Sequence, residues 1–218
     1  MSLRDQLSQR INQALQNDAY KAAYDQLLGA LRDTGFLPNI IELGARFPDF
    51  MLPDAEGRLV DLASLLARAP VIIQFFRGEW CPYCRMMLDA LTEALPAIEA
   101  AGGILVALTP DTNGLALEAK QAHGAKFVML SDVDYGVGLA AGVIFKVPAL
   151  YRQRLARAGT DLAARHGNGA WFLPVPATFI LDRDGVVRWR FADPDFTKRA
   201  EPDEVIAAVR AIRAGMPG

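Results

Sequence analysis

The stretch VIIQFFRGEWCPYC, Val71 to Cys84, decides the reading of this chain. Its first six residues are almost continuously apolar and begin with β-branched side chains, the pattern of a central strand covered on both faces. Cys81-Pro82 then opens a helix. Proline suits the first helical position, where its missing N–H is not needed and its φ is already helical. Apolar residues at Met87, Leu88, Leu91, Leu95 and Ile98 carry that helix to about Ala101, and Pro96 is expected to kink or split it. The two cysteines therefore stand where a buried strand hands over to a helix.

On the C-terminal side, Ile104 to Leu108 and Phe127 to Leu130 read as further strands, with helices at Leu115 to His123 and Tyr135 to Ala141. Strands alternating with helices imply right-handed crossovers and a mostly parallel sheet, an α/β fold. Ala177 to Leu181 and Val186 to Phe191 flank Asp182-Arg-Asp-Gly185, a hairpin turn, and Pro202 to Ala214 closes the chain as a helix. The segment of about 144–173 is too long for a plain connection and should be an insertion with a helix of its own.

On the N-terminal side, Asp54-Ala-Glu-Gly57 is a turn between two short strands, and Leu62 to Arg68 is a short helix. Earlier still, Leu7, Ile11, Leu15, Tyr20, Tyr24, Leu27, Leu28 and Leu31 fall at helical spacing, as one long helix or as two shorter ones broken at Asn17-Asp18, with an end at Gly35 and Pro38. Residues 1–43 thus form an N-terminal helical extension and 44–218 the main domain. The extension's apolar stripe should pack on that domain or on a second subunit, which leaves a homodimer open.

Composition narrows the function classes. The 218 residues are 52% hydrophobic and 22% charged, with 23 Lys plus Arg against 25 Asp plus Glu. That balance fits a globular domain and offers no basic excess for nucleic acid or an anionic membrane. The first residues lack the apolar run of a signal peptide and no stretch reaches the ~18 apolar residues of a membrane span, so the cytoplasm is the expected location.

A Cys-x-x-Cys at a strand–helix junction inside a βαβ pattern is a redox signal. Cys81 meets the unsatisfied N–H groups and the positive dipole end of its helix, which favour a thiolate. It should be the more acidic and more accessible cysteine. Cys84, one turn inside, can attack whatever sulfur species forms on Cys81. Two buried cysteines acting as small hydrophobes, or half of a zinc site, are the alternatives. Zinc needs further ligands, and the only histidines, His123 and His166, stand at no ligand spacing and read as surface residues. No metal or organic cofactor is expected.

The segments FPDFMLPDAEG, VIIQFFRGEWCPYC and PATFILDRDG, in this order, resemble the peroxiredoxin or alkyl hydroperoxide reductase/thiol-specific antioxidant family. The chain is similar in particular to a subgroup with an RGxWCPYC motif and a DPDxxxRAEP tail, here Asp193 to Pro202. The resemblance covers about four-fifths of the chain. It implies a thioredoxin-like fold, a central mixed sheet flanked by helices, with Cys81 at the peroxidatic position and Cys84 at the second cysteine of thioredoxins and glutaredoxins. Two departures stand out. The family's Thr or Ser three residues before the reactive cysteine is Gly78, and its peroxide-binding Arg on the opposite strand is Pro176. Arg77 or another cation would have to substitute. Pro176, after Val175, resembles instead the cis-proline that faces the dithiol in thioredoxins, where the preceding backbone pairs with a substrate strand. Gly78 also reads as a turn glycine, and Trp80 and Tyr83 as walls of the site.

The expected activity is a thiol-based oxidoreductase that reduces a peroxide and is regenerated by a thioredoxin- or glutathione-type reductant. A dithiol-disulfide oxidoreductase acting on protein or small disulfides is the same-site alternative, and a redox-inert interaction module the non-enzymatic one. Arg152, Arg154 and Arg157 in the insertion are either a solvated helix face or cations that attract an anionic substrate or lower the Cys81 pKa.

Overall fold

A computed structural model describes residues 1–33, 35–36 and 39–215. The residues Val71–Phe75 form β3, every one of them buried, at the centre of a five-stranded sheet. To one side lie β4 (Ile104–Thr109) and β5 (Val128–Ser131), both parallel to their neighbours; to the other lie β8 (Ala177–Leu181) and β9 (Val187–Ala192), both antiparallel. The order β5-β4-β3-β8-β9 is the mixed sheet of a thioredoxin-like fold. The turn before β9 is held by Asp182, whose Oδ1 accepts the N–H groups of Asp184 and Val186 while Gly185 takes φ +77°.

Helix α4 (Pro82–Ala101) runs from the end of β3 unbroken through Pro96, so the proline does not split it. Its buried face, Cys84, Met87, Leu88, Leu91, Leu95 and Ile98, presses on the sheet with α9 (Pro202–Arg213) beside it. Short strands β1 (Met51–Pro53) and β2 (Leu59–Asp61) pair antiparallel around the Asp54–Gly57 turn and lead into α3 (Leu62–Leu66). Helices α5 (Leu115–Ala122) and α6 (Gly136–Ala140) follow β4 and β5.

The insertion is richer than a single helix. Strands β6 (Ile144–Lys146) and β7 (Phe172–Pro174) pair antiparallel and enclose α7 (Ala149–Arg157) and α8 (Leu162–His166). The break at Asn17-Asp18 is real: α1 (Leu3–Ala14) and α2 (Asp18–Asp33) are separate helices, while Pro38 lies outside the described residues. Helix α1 lies on α4 and α2 on α7. The first turn of α1 is fastened to the far end of the chain, since Glu201 accepts the N–H groups of Leu3 and Arg4 and Arg4 pairs with Glu204 at 2.9 Å. Leu3, Leu7, Leu27 and Leu31 are buried in the same core as the sheet. Among the described residues no helix is long and apolar enough to cross a membrane.

Candidate active site

Cys81 is the N-cap of α4 and Pro82 its first residue, so the thiol sits at the positive end of a 20-residue helix. Cys84 is one turn in, its N–H bonded to the Cys81 carbonyl at 2.9 Å. Both are free thiols and both are buried: Cys81 is 2% exposed and Cys84 not at all. Accessibility is thus lower than the sequence suggests, although Cys81 alone of the pair lines a surface cleft. Burial pushes both thiols up. For Cys81 this is outweighed by hydrogen bonding with Cys84 and by the charges of Arg77 and Arg199, which hold it well below the ordinary thiol range. Cys84 is pushed well up by its burial and by the thiolate beside it. One cysteine is a ready nucleophile and the other a protonated reserve.

Arg77, the cation named in the sequence, is one of the two charges that lower Cys81. It is fully buried, and its guanidinium lies 4.4 Å from the Phe196 ring centroid, 4.9 Å from Trp80 and 5.2 Å from Tyr151. It donates to the Tyr151 hydroxyl at 3.0 Å, while its Nε and Nη1 have no partner among the described residues. Aromatic faces can hold a desolvated guanidinium in place while leaving N–H groups free for another acceptor. Its backbone N–H points at Cys84 Sγ, 3.5 Å away.

Arg199, the second cation, did not stand out in the sequence. It is buried, donates to the carbonyls of Phe196 and Lys198, and places Nη2 3.6 Å from Cys84 Sγ. Phe196, also missed, is the aromatic hub of the site, with the rings of Tyr24, Tyr83 and Tyr151 set edge-on within 5.8 Å. Both residues belong to the Asp193–Pro202 tail. That motif was the available signal: an arginine and an aromatic inside a short segment otherwise made of turn and charged residues.

Gly78 sits at φ +126°, and a Cβ there would lie 2.5 Å from Asp111 Oδ2 and 2.6 Å from Trp80 Nε1. No Thr or Ser hydroxyl can occupy the position without displacing that carboxylate. Asp111 is itself held by Arg165 Nε and Nη2 at 3.0 and 2.6 Å, which ties the loop after β4 to α8. Trp80 donates Nε1–H to the Arg77 carbonyl at 3.0 Å and, with Tyr83, walls the cleft. The Tyr83 hydroxyl meets that of Tyr20 on α2 at 3.2 Å.

Other expectations are corrected. The Val175–Pro176 bond is trans; no cis peptide occurs among the described residues. Val175 is buried and donates its N–H to the Val143 carbonyl at 2.8 Å, so the segment carries β7 straight on into β8 and neither Val175 nor Pro176 lines the cleft. The histidine side chains are not at the surface. His123 is tucked against Asp89 at 2.6 Å, and His166 is buried under Tyr135, where burial and Arg165 press its pKa down to about 4. Arg152 turns away, donating to the Val147 carbonyl beside the Trp171 ring, whereas Arg154 and Arg157 line the cleft. The cations that lower Cys81 are Arg77 and Arg199. Among the described residues no group of three or more His, Cys, Asp or Glu is placed to hold a metal ion.

The cleft measures about 620 Å³. It is lined by residues of α1, α2 and α7, with Trp80, Cys81, Tyr83 and Phe196 at its base.

The sequence profile described as "AhpC/TSA family" matches residues 43–190, more than half of the chain. The chain belongs to the AhpC/TSA family. Relatives of two kinds align with it. Thiol-disulfide oxidoreductase ResA of Bacillus cereus is 24% identical over 147 residues, 67% of this chain and 68% of the relative. Chloroplastic peroxiredoxin Q of Oryza sativa subsp. japonica is 27% identical over 149 residues, 68% of this chain but only 58% of the relative. The structure of peroxidoxin BcpB from Mycobacterium tuberculosis superposes with a TM-score of 0.62 at 20% identity, over 79% of this chain and 99% of that one. The fold is that of the peroxiredoxins, and AhpC/TSA membership makes the protein a thiol-based oxidoreductase.

Proposed function

We propose that this AhpC/TSA protein reduces peroxides, with Cys81 as the reacting thiolate and Cys84 as the thiol that resolves it. Cys81 attacks one peroxide oxygen, the O–O bond breaks, and the leaving oxygen takes a proton to become an alcohol or water. Cys81 is then a sulfenic acid. Cys84, giving up its proton, attacks that sulfur; an S–S bond forms and the hydroxyl leaves as water. A thioredoxin- or glutathione-type thiol in a reducing compartment returns the two electrons. Arg77, whose charge helps to hold Cys81 as a thiolate and whose Nε–H and Nη1–H are buried without a partner among the described residues, is the cation assigned the task of the arginine that Pro176 replaces.

The observation that carries this reading over the disulfide reading is the pairing of Val175 N–H with Val143. A polypeptide disulfide that docks as an added strand beside the dithiol needs that backbone donor free. Cys81, 2% exposed beneath a cleft, also favours a small molecule over a protein surface. A small disulfide fits the same cleft and remains the second reading.

Stopped-flow mixing of the reduced protein with hydrogen peroxide, an organic hydroperoxide and a small disulfide tests it. The expected result is fast oxidation by a peroxide, with both thiols lost per peroxide consumed. Faster reaction with the disulfide than with either peroxide would overturn it.

A further inference from the structure

We propose that the cleft over Cys81 selects organic co-substrates that carry a carboxylate, and that Arg10, Arg154 and Arg157 read that charge. The inference rests on Cys81 as the reacting thiol and deepens the functional reading by naming a substrate class. Three observations carry it. The cleft, at about 620 Å³, is far larger than hydrogen peroxide, which is comparable with a water molecule of ~30 Å³. Its lining contains these three arginines and no aspartate or glutamate, in a chain whose acidic residues outnumber its basic ones by 25 to 23. And among the described residues none of the three has a carboxylate within 4.0 Å, so no ion pair within the chain neutralises them.

The three come from two elements, Arg10 from α1 and Arg154 and Arg157 from α7, and line one cleft. Arg154 is steadied by the Tyr20 ring, 5.4 Å away. Like charges gathered in a concave, acid-free site repel one another, and a bound anion relieves that repulsion. A guanidinium fork matches the planar, two-oxygen geometry of a carboxylate bidentately. Ala14, Leu155 and Phe196 offer apolar surface to the body of such a molecule. Two sources share this chemistry, a hydroperoxide of a carboxylic acid and a carboxylate-bearing disulfide.

The test uses the reduced full chain and two matched pairs of oxidants: a fatty-acid hydroperoxide with its methyl ester, and glutathione disulfide with its carboxyl-esterified form. The rate of Cys81 oxidation is divided in each case by the same protein's rate of alkylation with iodoacetamide. In at least one pair the acid is expected to react about tenfold faster than the ester, and salt should shrink the advantage. Combining Arg10→Gln, Arg154→Gln and Arg157→Gln should bring acid and ester to within about twofold. The pair that shows the effect identifies the source. Equal rates for acid and ester in both pairs, or a preference that survives in the triple variant, would overturn the proposal. A protein inert to every peroxide that still prefers glutathione disulfide to its ester would sink the peroxidase reading and leave the selection of carboxylates standing. For a protein inert to all four oxidants, protection of Cys81 from alkylation by decanoate and not by methyl decanoate reads the same selection, and its absence overturns it.

Discussion

Arg77, Cys81 and Cys84 come from eight consecutive residues at the end of β3, whereas the groups that enclose them come from α1, α2, α7 and the 193–202 tail, with Arg199 reaching Cys84 across 115 positions of chain. The first region holds the sulfur proposed to react, a cation that lowers its pKa, and the helix dipole. The second holds the aromatic hub, the second buried cation and the mouth of the cleft. Chemistry here is written locally, and access to it is assembled from a distance. Changes in the first region should therefore act on every oxidant alike, and changes in the second on stability and on which oxidant enters.

The largest expected effect is at the floor. Cys81→Ser should abolish peroxide consumption. Cys84→Ser should leave one round of Cys81 oxidation that halts as a sulfenic acid or, with added thiol, a mixed disulfide, both visible by intact mass. Sustained turnover in Cys84→Ser would move the resolving step to an external thiol. Arg77→Met comes next. It keeps the bulk against Phe196, Trp80 and Tyr151 but removes the charge and both free donors. The rate with hydrogen peroxide should fall by about 10² or more, as for the loss of a preorganised donor. The native thiolate persists below the ordinary thiol pKa of ~8.5, so alkylation of Cys81 against pH should inflect below that value and shift upward in the variant. An inflection that stays put would assign the lowered pKa to the hydrogen bonding of Cys84, the helix end and Arg199, without Arg77.

The same division explains what the sequence discloses. The strand–helix junction, the two cysteines and the order of elements are readable because periodicity and capping are local signals, and β3 to α4 obeys them. The N-terminal break at Asn17-Asp18 is likewise local. The missed features are those that depend on contacts between distant residues. Nothing in the spacing of Arg199 or Phe196 announces a buried position beside a thiol. The β6–β7 hairpin is two strands of three residues each, too short to show a period. Val175 and Pro176 were assigned by likeness to thioredoxins, and the hairpin's claim on the Val175 N–H removes the basis for it. His166 looks like any polar residue until Tyr135 and Arg165 close over it.

A wall residue away from the cleft should separate stability from chemistry. Leu27 on α2 is fully buried, and Leu27→Ala should cost about 2–5 kcal/mol of folding stability, read by denaturant titration. A loss well under 1 kcal/mol would mean that α2 rests on the domain without contributing to its core, and that the extension is an accessory to the cleft alone.

The smallest effect addresses the polar contact that joins α2 to the start of α4, Tyr20 OH to Tyr83 OH at 3.2 Å. Burial pushes both hydroxyls up, so both are neutral phenols and one donates to the other. Tyr20→Phe should therefore cost about 1 kcal/mol, the net worth of a typical hydrogen bond, and no more, because no charge is stranded. Tyr83→Phe removes the same bond from the other side. If the contact is what couples α2 to the start of α4, the double variant should lose little beyond either single one, giving an interaction energy of about 1 kcal/mol in a double-mutant cycle. Strict additivity would show that the extension and the dithiol helix are held independently, Tyr20 through its ring stack on Tyr24 and Tyr83 through Phe196. In that case the floor would owe the extension its shape but none of its rigidity.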